Sequence, residues 1–148
     1  MRIIIDADGC PVVRIAVDIA NKHSVPVIIV CDCAHYFDIP GTETITVTRG
    51  ADSADFRIVN MISPGDIVIT QDYGLAAMAL ARKATPISQN GVIYSDDNID
   101  SMLLARHTAR KIRNSGGRLK GPSKRTQEQD QTFINTLTKI LSGTAAPF

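Results

Sequence analysis

Met1-Arg2-Ile3-Ile4-Ile5-Asp6-Ala7-Asp8-Gly9-Cys10-Pro11 opens the chain and decides its fold. Three consecutive isoleucines are apolar and β-branched, which suits a short strand buried on both faces. The character then changes at once: two aspartates two positions apart, a glycine, and a proline of the kind that begins a helix, where its missing N–H leaves nothing unsatisfied. In an open α/β sheet the crevice beyond the carboxyl ends of the strands is where ligands bind, and Asp6 and Asp8 fall there. Two carboxylates so close repel each other unless a cation or a shared proton compensates. The plainer alternative is that Asp6 ends the strand and Asp8 caps the next helix.

Outward from this opening, strand and helix alternate. A helix is expected from about Pro11 to His23, with Val12, Ile15, Ala16 and Ile19 as its apolar face. Val25 to Val30 is a near-continuous apolar run, the mark of a central parallel strand. Residues 32–41 read as a loop, and Thr44 to Thr48 as a short strand. A helix from about Asp52 to Ile62 is stopped by Ser63-Pro64-Gly65. Ile67 to Thr70 is a fourth strand, followed by an alanine-rich helix over 75–83. Thr85 to Ser88, with Val92 to Tyr94, supplies the last strand material. A helix from about Asn98 to Arg113 buries Ile99, Met102, Leu103 and Ile112. Residues 114–125 form a loop, and Thr126 with Gln129 makes a capping box for a final helix packed through Phe133, Leu137, Ile140 and Leu141. This order predicts a parallel sheet with helices on both faces. We expect one domain over 1–142, including the basic helix and loop 98–125 and the C-terminal helix 126–142, and a flexible tail at 143–148.

The chain has 148 residues, 44% of them hydrophobic and 21% charged, which is a soluble globular composition with enough length for a real core. No apolar run approaches the roughly 18 residues of a membrane span, and the first residues enter a strand rather than a signal peptide, so a cytoplasmic protein with no membrane partner is the expectation. Three cysteines make a disulfide framework implausible. The net charge of +1 conceals an asymmetry. Residues 1–100 hold seven Lys or Arg against 13 Asp or Glu, whereas residues 101–125 hold eight Lys or Arg and no acid. An acidic body with a separate basic segment suits a metal ion at one place and phosphates at another, although a basic segment also serves simply to balance the body.

Asp72 sits two residues past the strand 67–70, at the same sheet edge as Asp6 and Asp8. If strands one and four are neighbours, these carboxylates converge; otherwise Asp72 only caps the helix behind it. Asp55 shares a helical stripe with Ile58 and Ile62, and an acid beside core-facing residues is costly unless paired or metal-bound. Asp52, one turn earlier, has a simpler role at the helix N-terminus. Carboxylates without a histidine cluster form a hard, oxygen-lined site, which favours Mg²⁺ or Mn²⁺ over zinc. Such ions activate water against a phosphodiester without a Ser, Cys or His nucleophile.

The basic segment places Arg106, Arg110 and Arg113 at helical spacing, then Arg118, Lys120, Lys124 and Arg125 among glycines. Arginine forks match phosphate oxygens, and the pattern suits an electrostatic track for an RNA or DNA backbone. It lacks interleaved aromatics, so base readout is not indicated. Cys31-Asp32-Cys33-Ala34-His35 has soft ligands but no second cluster to complete a zinc site, and Cys10 reads as structural.

Four motifs together resemble the YaiI/YqxD family of uncharacterised bacterial proteins: Asp6-Ala7-Asp8-Gly9-Cys10-Pro11, Gly50-Ala51-Asp52-Ser53-Ala54-Asp55, Ile69-Thr70-Gln71-Asp72 with Leu75-Ala76, and Gly116-Gly117 through Gly121-Pro122. That family is similar to the PIN-like group, whose better-known relatives are metal-dependent nucleases. The resemblance implies a three-layer α/β/α fold around a central, mostly parallel sheet. It implies catalytic, metal-holding acids at Asp6, with Asp8 beside it, at Asp55 where the group usually has Glu, and at Asp72 with Thr70 in support. Asp52 is a lesser candidate, and Asp96 or Asp97 stands near the place of a further acid.

The leading expectation is a Mg²⁺- or Mn²⁺-dependent nuclease that uses metal-activated water. A PIN-like domain that binds nucleic acid or protein without turnover is the first alternative. The second is a phosphatase resembling the haloacid dehalogenases, with Asp6 as nucleophile; Cys10-Pro11 entering a helix at once leaves no room for that fold's flap. Oligomeric state is not legible in the sequence.

Overall fold

Five short strands, β1 (Ile3–Asp6), β2 (Val27–Asp32), β3 (Thr42–Val47), β4 (Ile67–Ile69) and β5 (Thr85–Ile87), form one sheet in the order β3-β2-β1-β4-β5. The structure is a computed structural model and describes residues 1–32, 39–48, 53–116 and 124–143. Every pairing is parallel. The chain winds outward from β1 to β3 and returns to lay β4 against the free side of β1, with Ile3 opposite Ile67 and Ile5 opposite Ile69. That reversal is a topological switch point, and its crevice opens where β1 and β4 end, at Asp6 and Thr70.

Side-chain alternation along β1 builds two cores. Ile3 and Ile5 face α1 (Val13–Lys22) and α5 (Gln127–Leu141), and pack with Val17, Phe133 and Leu137. Ile4 faces α2 (Ser53–Met61) and α3 (Tyr73–Ala81), and packs with Ile58, Val68 and Leu75. Helices therefore cover both faces in three layers. All three isoleucines are fully buried, and each such side chain contributes about 1.5–3 kcal/mol of hydrophobic stabilisation. The chain passes from Asp6 to the first residue of α1 at Val13 with no element between them.

α4 (Asp96–Asn114) lies outside these layers against α3, joined through Ala76, Tyr94 and Ile99 with Met102 and Leu103 at the margin. It starts two residues earlier than expected, with Ser95 as N-cap donating its N–H to Asn98 Oδ1 at 2.9 Å. Ile112, expected inside, is exposed. Residues 110–114 at the end of α4 are all exposed, so periodicity alone misplaced this residue. Residues 92–94 are not a strand: Ile93 makes a single antiparallel bridge to Ile87. The predicted capping box of α5 is present, with Thr126 Oγ1 accepting from Gln129 N–H. Gly91 allows α5 to dock: its φ is +82°, and a Cβ there would lie 2.7 Å from the Thr132 carbonyl oxygen. No helix among the described residues is long and apolar enough to cross a membrane. Residues 143–148, expected as a tail, lie outside the described residues apart from Gly143.

Candidate functional site

Asp6 is held at the switch point by β4. Thr70, only 2% exposed, donates its hydroxyl to Asp6 Oδ2 at 2.9 Å. The same hydroxyl oxygen accepts the Asp72 N–H at 3.0 Å. One buried threonine thus holds the Asp6 carboxylate and the Asp72 backbone together. Behind it, Tyr94 donates its phenol to the Thr70 carbonyl at 3.3 Å and meets Tyr73 edge to face. Burial, then Tyr73 and Asp72, push the Tyr94 phenol up to about 12, which keeps it a donor.

On the other side of Asp6, Asp8 reaches over the end of β2, and both its oxygens accept from the Asp32 N–H at 3.2 and 3.1 Å. Asp6 and Asp8 line a small cleft of about 90 Å³ with Gly9, Cys10, Thr70 and Gln89. Burial pushes the Asp6 carboxyl above the usual range; Thr70 opposes this, and the charges of Asp72 and Asp8 add to it. The Cys10 thiol is likewise pushed up by burial, against a backbone hydrogen bond at Val12. A thiol held protonated is a poor nucleophile, in keeping with its structural reading.

Asp72 performs two tasks. Its Oδ1 accepts from Leu75 N–H at 3.1 Å, capping α3, and lies 3.8 Å from Arg106 Nη1 of α4. With Asp55, in the first turn of α2, Asp72 lines a larger cavity of about 500 Å³ between α2, α3 and α4. The four predicted acids therefore fall into two adjoining pairs, Asp6 with Asp8 and Asp55 with Asp72, linked through Thr70. The split arises because Asp72 turns its carboxylate toward the α3 N-terminus, where the unsatisfied N–H groups are.

Among the described residues, no group of three or more His, Cys, Asp or Glu is placed to hold a metal ion. The donor chemistry of the Asp6 edge nonetheless suits a hard divalent cation: carboxylate oxygens, one of them desolvated between two like charges. Asp96 and Asp97 are exposed in the first turn of α4 and line neither cavity. Asp52 lies outside the described residues.

The predicted phosphate track divides as well. Arg106 and Arg110 line the large cavity, together with His107, which the sequence reading passed over although it shares their helix. Arg113 and Lys124 are exposed, and Arg118 and Lys120 lie outside the described residues. Arg125 is committed elsewhere. Its guanidinium donates to Asp130 at 2.6 Å, to Asn90 at 2.7 Å and to the Gln89 carbonyl at 2.7 Å. It ties the start of α5 to the turn after β5, and so positions Gln89 at the acidic cleft; nothing in the local sequence announces this. Phe56 and Met78, also on the large cavity, were absent from the expectation.

Residues 4–143 match the sequence pattern described as Uncharacterized BCR, YaiI/YqxD family. A UPF0178 protein of Exiguobacterium sibiricum is 50% identical over 96% of this chain and 97% of its own. Similar proteins from Ruminiclostridium cellulolyticum and Alkaliphilus oremlandii are 46% and 47% identical, over 93% and 95% of this chain and 90% and 91% of theirs. No solved structure matches the chain.

Proposed function

The chain belongs to the YaiI/YqxD family of uncharacterised proteins, and we propose that it is a divalent-metal-dependent phosphodiesterase acting on RNA or DNA. The observation that carries this reading is the state of Asp6. It is half-buried at the switch-point crevice beside Asp8 and Asp72, with its carboxyl pushed up by partial burial and by both neighbours. A fold that only needed a strand end there would be more stable with a neutral residue.

Asp6 and Asp8 would hold Mg²⁺ or Mn²⁺, with Asp72 on the far side of Thr70. A bound ion of this class supplies an activated water and stabilises phosphate oxygens. The chain's own groups do the rest. Thr70 fixes the Asp6 oxygen, and Asp32 N–H fixes Asp8. Arg106 and Arg110, across the adjoining cavity, would neutralise the substrate backbone. Asp55 would form the opposite acidic wall. The test is cleavage of labelled RNA and DNA by purified protein with Mn²⁺ or Mg²⁺. Asp6→Asn and Asp72→Asn are each expected to abolish it; equal cleavage by the double variant would assign the activity to a contaminant.

One observation favours a second reading, a PIN-like domain that binds nucleic acid or protein without turnover. It is the division of the acids into two pairs, with no three held together among the described residues. Oligonucleotide binding without cleavage of any RNA or DNA would select this reading.

A further inference from the structure

The cavity between α2, α3 and α4, at about 500 Å³, lies in the size range of small-molecule and nucleotide sites. Its walls differ in kind. On one side Phe56 of α2 and Met78 of α3 are 66% and 52% exposed, while Phe133 and the three isoleucines of β1 are fully buried. On the other side Arg106 and Arg110 project from α4 four residues apart, which places them on one helix face. Asp72 closes the end nearest Thr70 and Asp6.

We infer that this cavity receives an unpaired base of a single-stranded nucleic acid, with the flanking phosphates on Arg106 and Arg110. The inference rests on the proposed function only in taking nucleic acid as the ligand. A nucleobase has two apolar faces and a polar edge. Phe56 offers a ring on which any base stacks, and the unbranched Met78 adapts to its outline. The carboxylates of Asp55 and Asp72 stand at the same cavity, and a carboxylate accepts from base amino groups. Arg106 is available to phosphate because its contact with Asp72 is long, at 3.8 Å, and both side chains are substantially exposed; such pairs exchange easily. A duplex does not fit this arrangement, since its bases are stacked inside and reach a pocket only when splayed or flipped out.

The test is fluorescence anisotropy of the full chain with short fluorescein-labelled oligonucleotides in EDTA, where no metal-dependent turnover occurs. Poly-pyrimidine single strands, their blunt duplexes and strands carrying abasic sites are compared, each as RNA and as DNA. Single strands are expected to bind, and duplexes and abasic strands roughly tenfold more weakly, the scale of one lost base stack. Phe56→Ala, at an exposed position where the fold is not at stake, is expected to weaken intact strands by the same factor and to remove the preference over abasic ones. Arg110→Gln is expected to weaken intact and abasic strands equally. Equal binding of abasic and intact strands, equal binding of duplex, or an unaffected Phe56→Ala variant would overturn the inference. Base-dependent binding without cleavage in Mn²⁺ would instead defeat the phosphodiesterase reading and leave this site standing.

Discussion

The Thr70 hydroxyl donates to Asp6 Oδ2 at 2.9 Å across the seam between β4 and β1. Because the same oxygen accepts the Asp72 N–H, this contact joins the two acid pairs. Thr70→Val keeps the shape and removes the donor. It leaves a desolvated carboxylate oxygen and a backbone N–H without this partner, at an expected loss of about 1–3 kcal/mol in urea unfolding. Thr70→Ser restores the hydroxyl and should recover most of that loss. Equal stability of the Val variant would show that the hydroxyl does not hold the edge together.

Asp6→Asn should stabilise the metal-free protein. The folded-state pKa of Asp6 is raised, so the folded chain holds this proton more tightly than the unfolded one. Stability from this group is then greatest at low pH and falls as pH rises through the ordinary carboxylate range to the raised value. Asparagine cannot ionise, and its amide oxygen still accepts from Thr70. At neutral pH the variant should therefore melt above the wild type in chelator. The gain should shrink on acidification. A variant less stable at neutral pH in chelator would contradict this account of Asp6.

Asp66 carries the opposite sign. Burial pushes its carboxyl up, but the Arg2 side-chain hydrogen bond, the Ser63 and Arg2 N–H groups and the Arg2 charge together hold it below the usual range. These contacts, at 2.8, 2.9 and 3.1 Å, close the opposite end of β1 from the site. Their stabilisation is present above the ordinary Asp pKa and is lost as pH falls through the lowered one. Asp66→Asn is expected to cost about 1–2 kcal/mol at neutral pH, limited by the exposure of Arg2, and less in acid. Thermal melts across that pH range read both effects, and a pH-independent difference would contradict the assignment.

What the sequence made legible followed from local rules. The strands β1, β2 and β4 are apolar β-branched runs, and their placement put Asp6 and Thr70-Gln71-Asp72 at one edge before any pairing was known. Thr126 and Gln129 announced α5 through a three-residue spacing. The failures needed information beyond local sequence. Ile112 has helical periodicity, yet it lies on the exposed end of α4. Asp72 shares the edge with Asp6, yet its side-chain direction, set by the α3 cap, faces the other cavity. Arg125 counted as a phosphate contact on charge alone, whereas Asn90 and Gln89, distant in sequence, engage its fork. Phe56 and Met78 drew no notice because an apolar helix residue reads as core until its exposure is known.

We propose that the acidic edge of β1 and β4 takes a divalent cation. Calorimetric titration of Mn²⁺ into chelator-stripped protein at neutral pH tests it most directly. Saturable binding is expected in the wild type, lost in Asp6→Asn and weakened in Asp8→Asn and Asp72→Asn, with each variant folded by circular dichroism. Absence of saturable binding, or undiminished binding by Asp6→Asn, would contradict it.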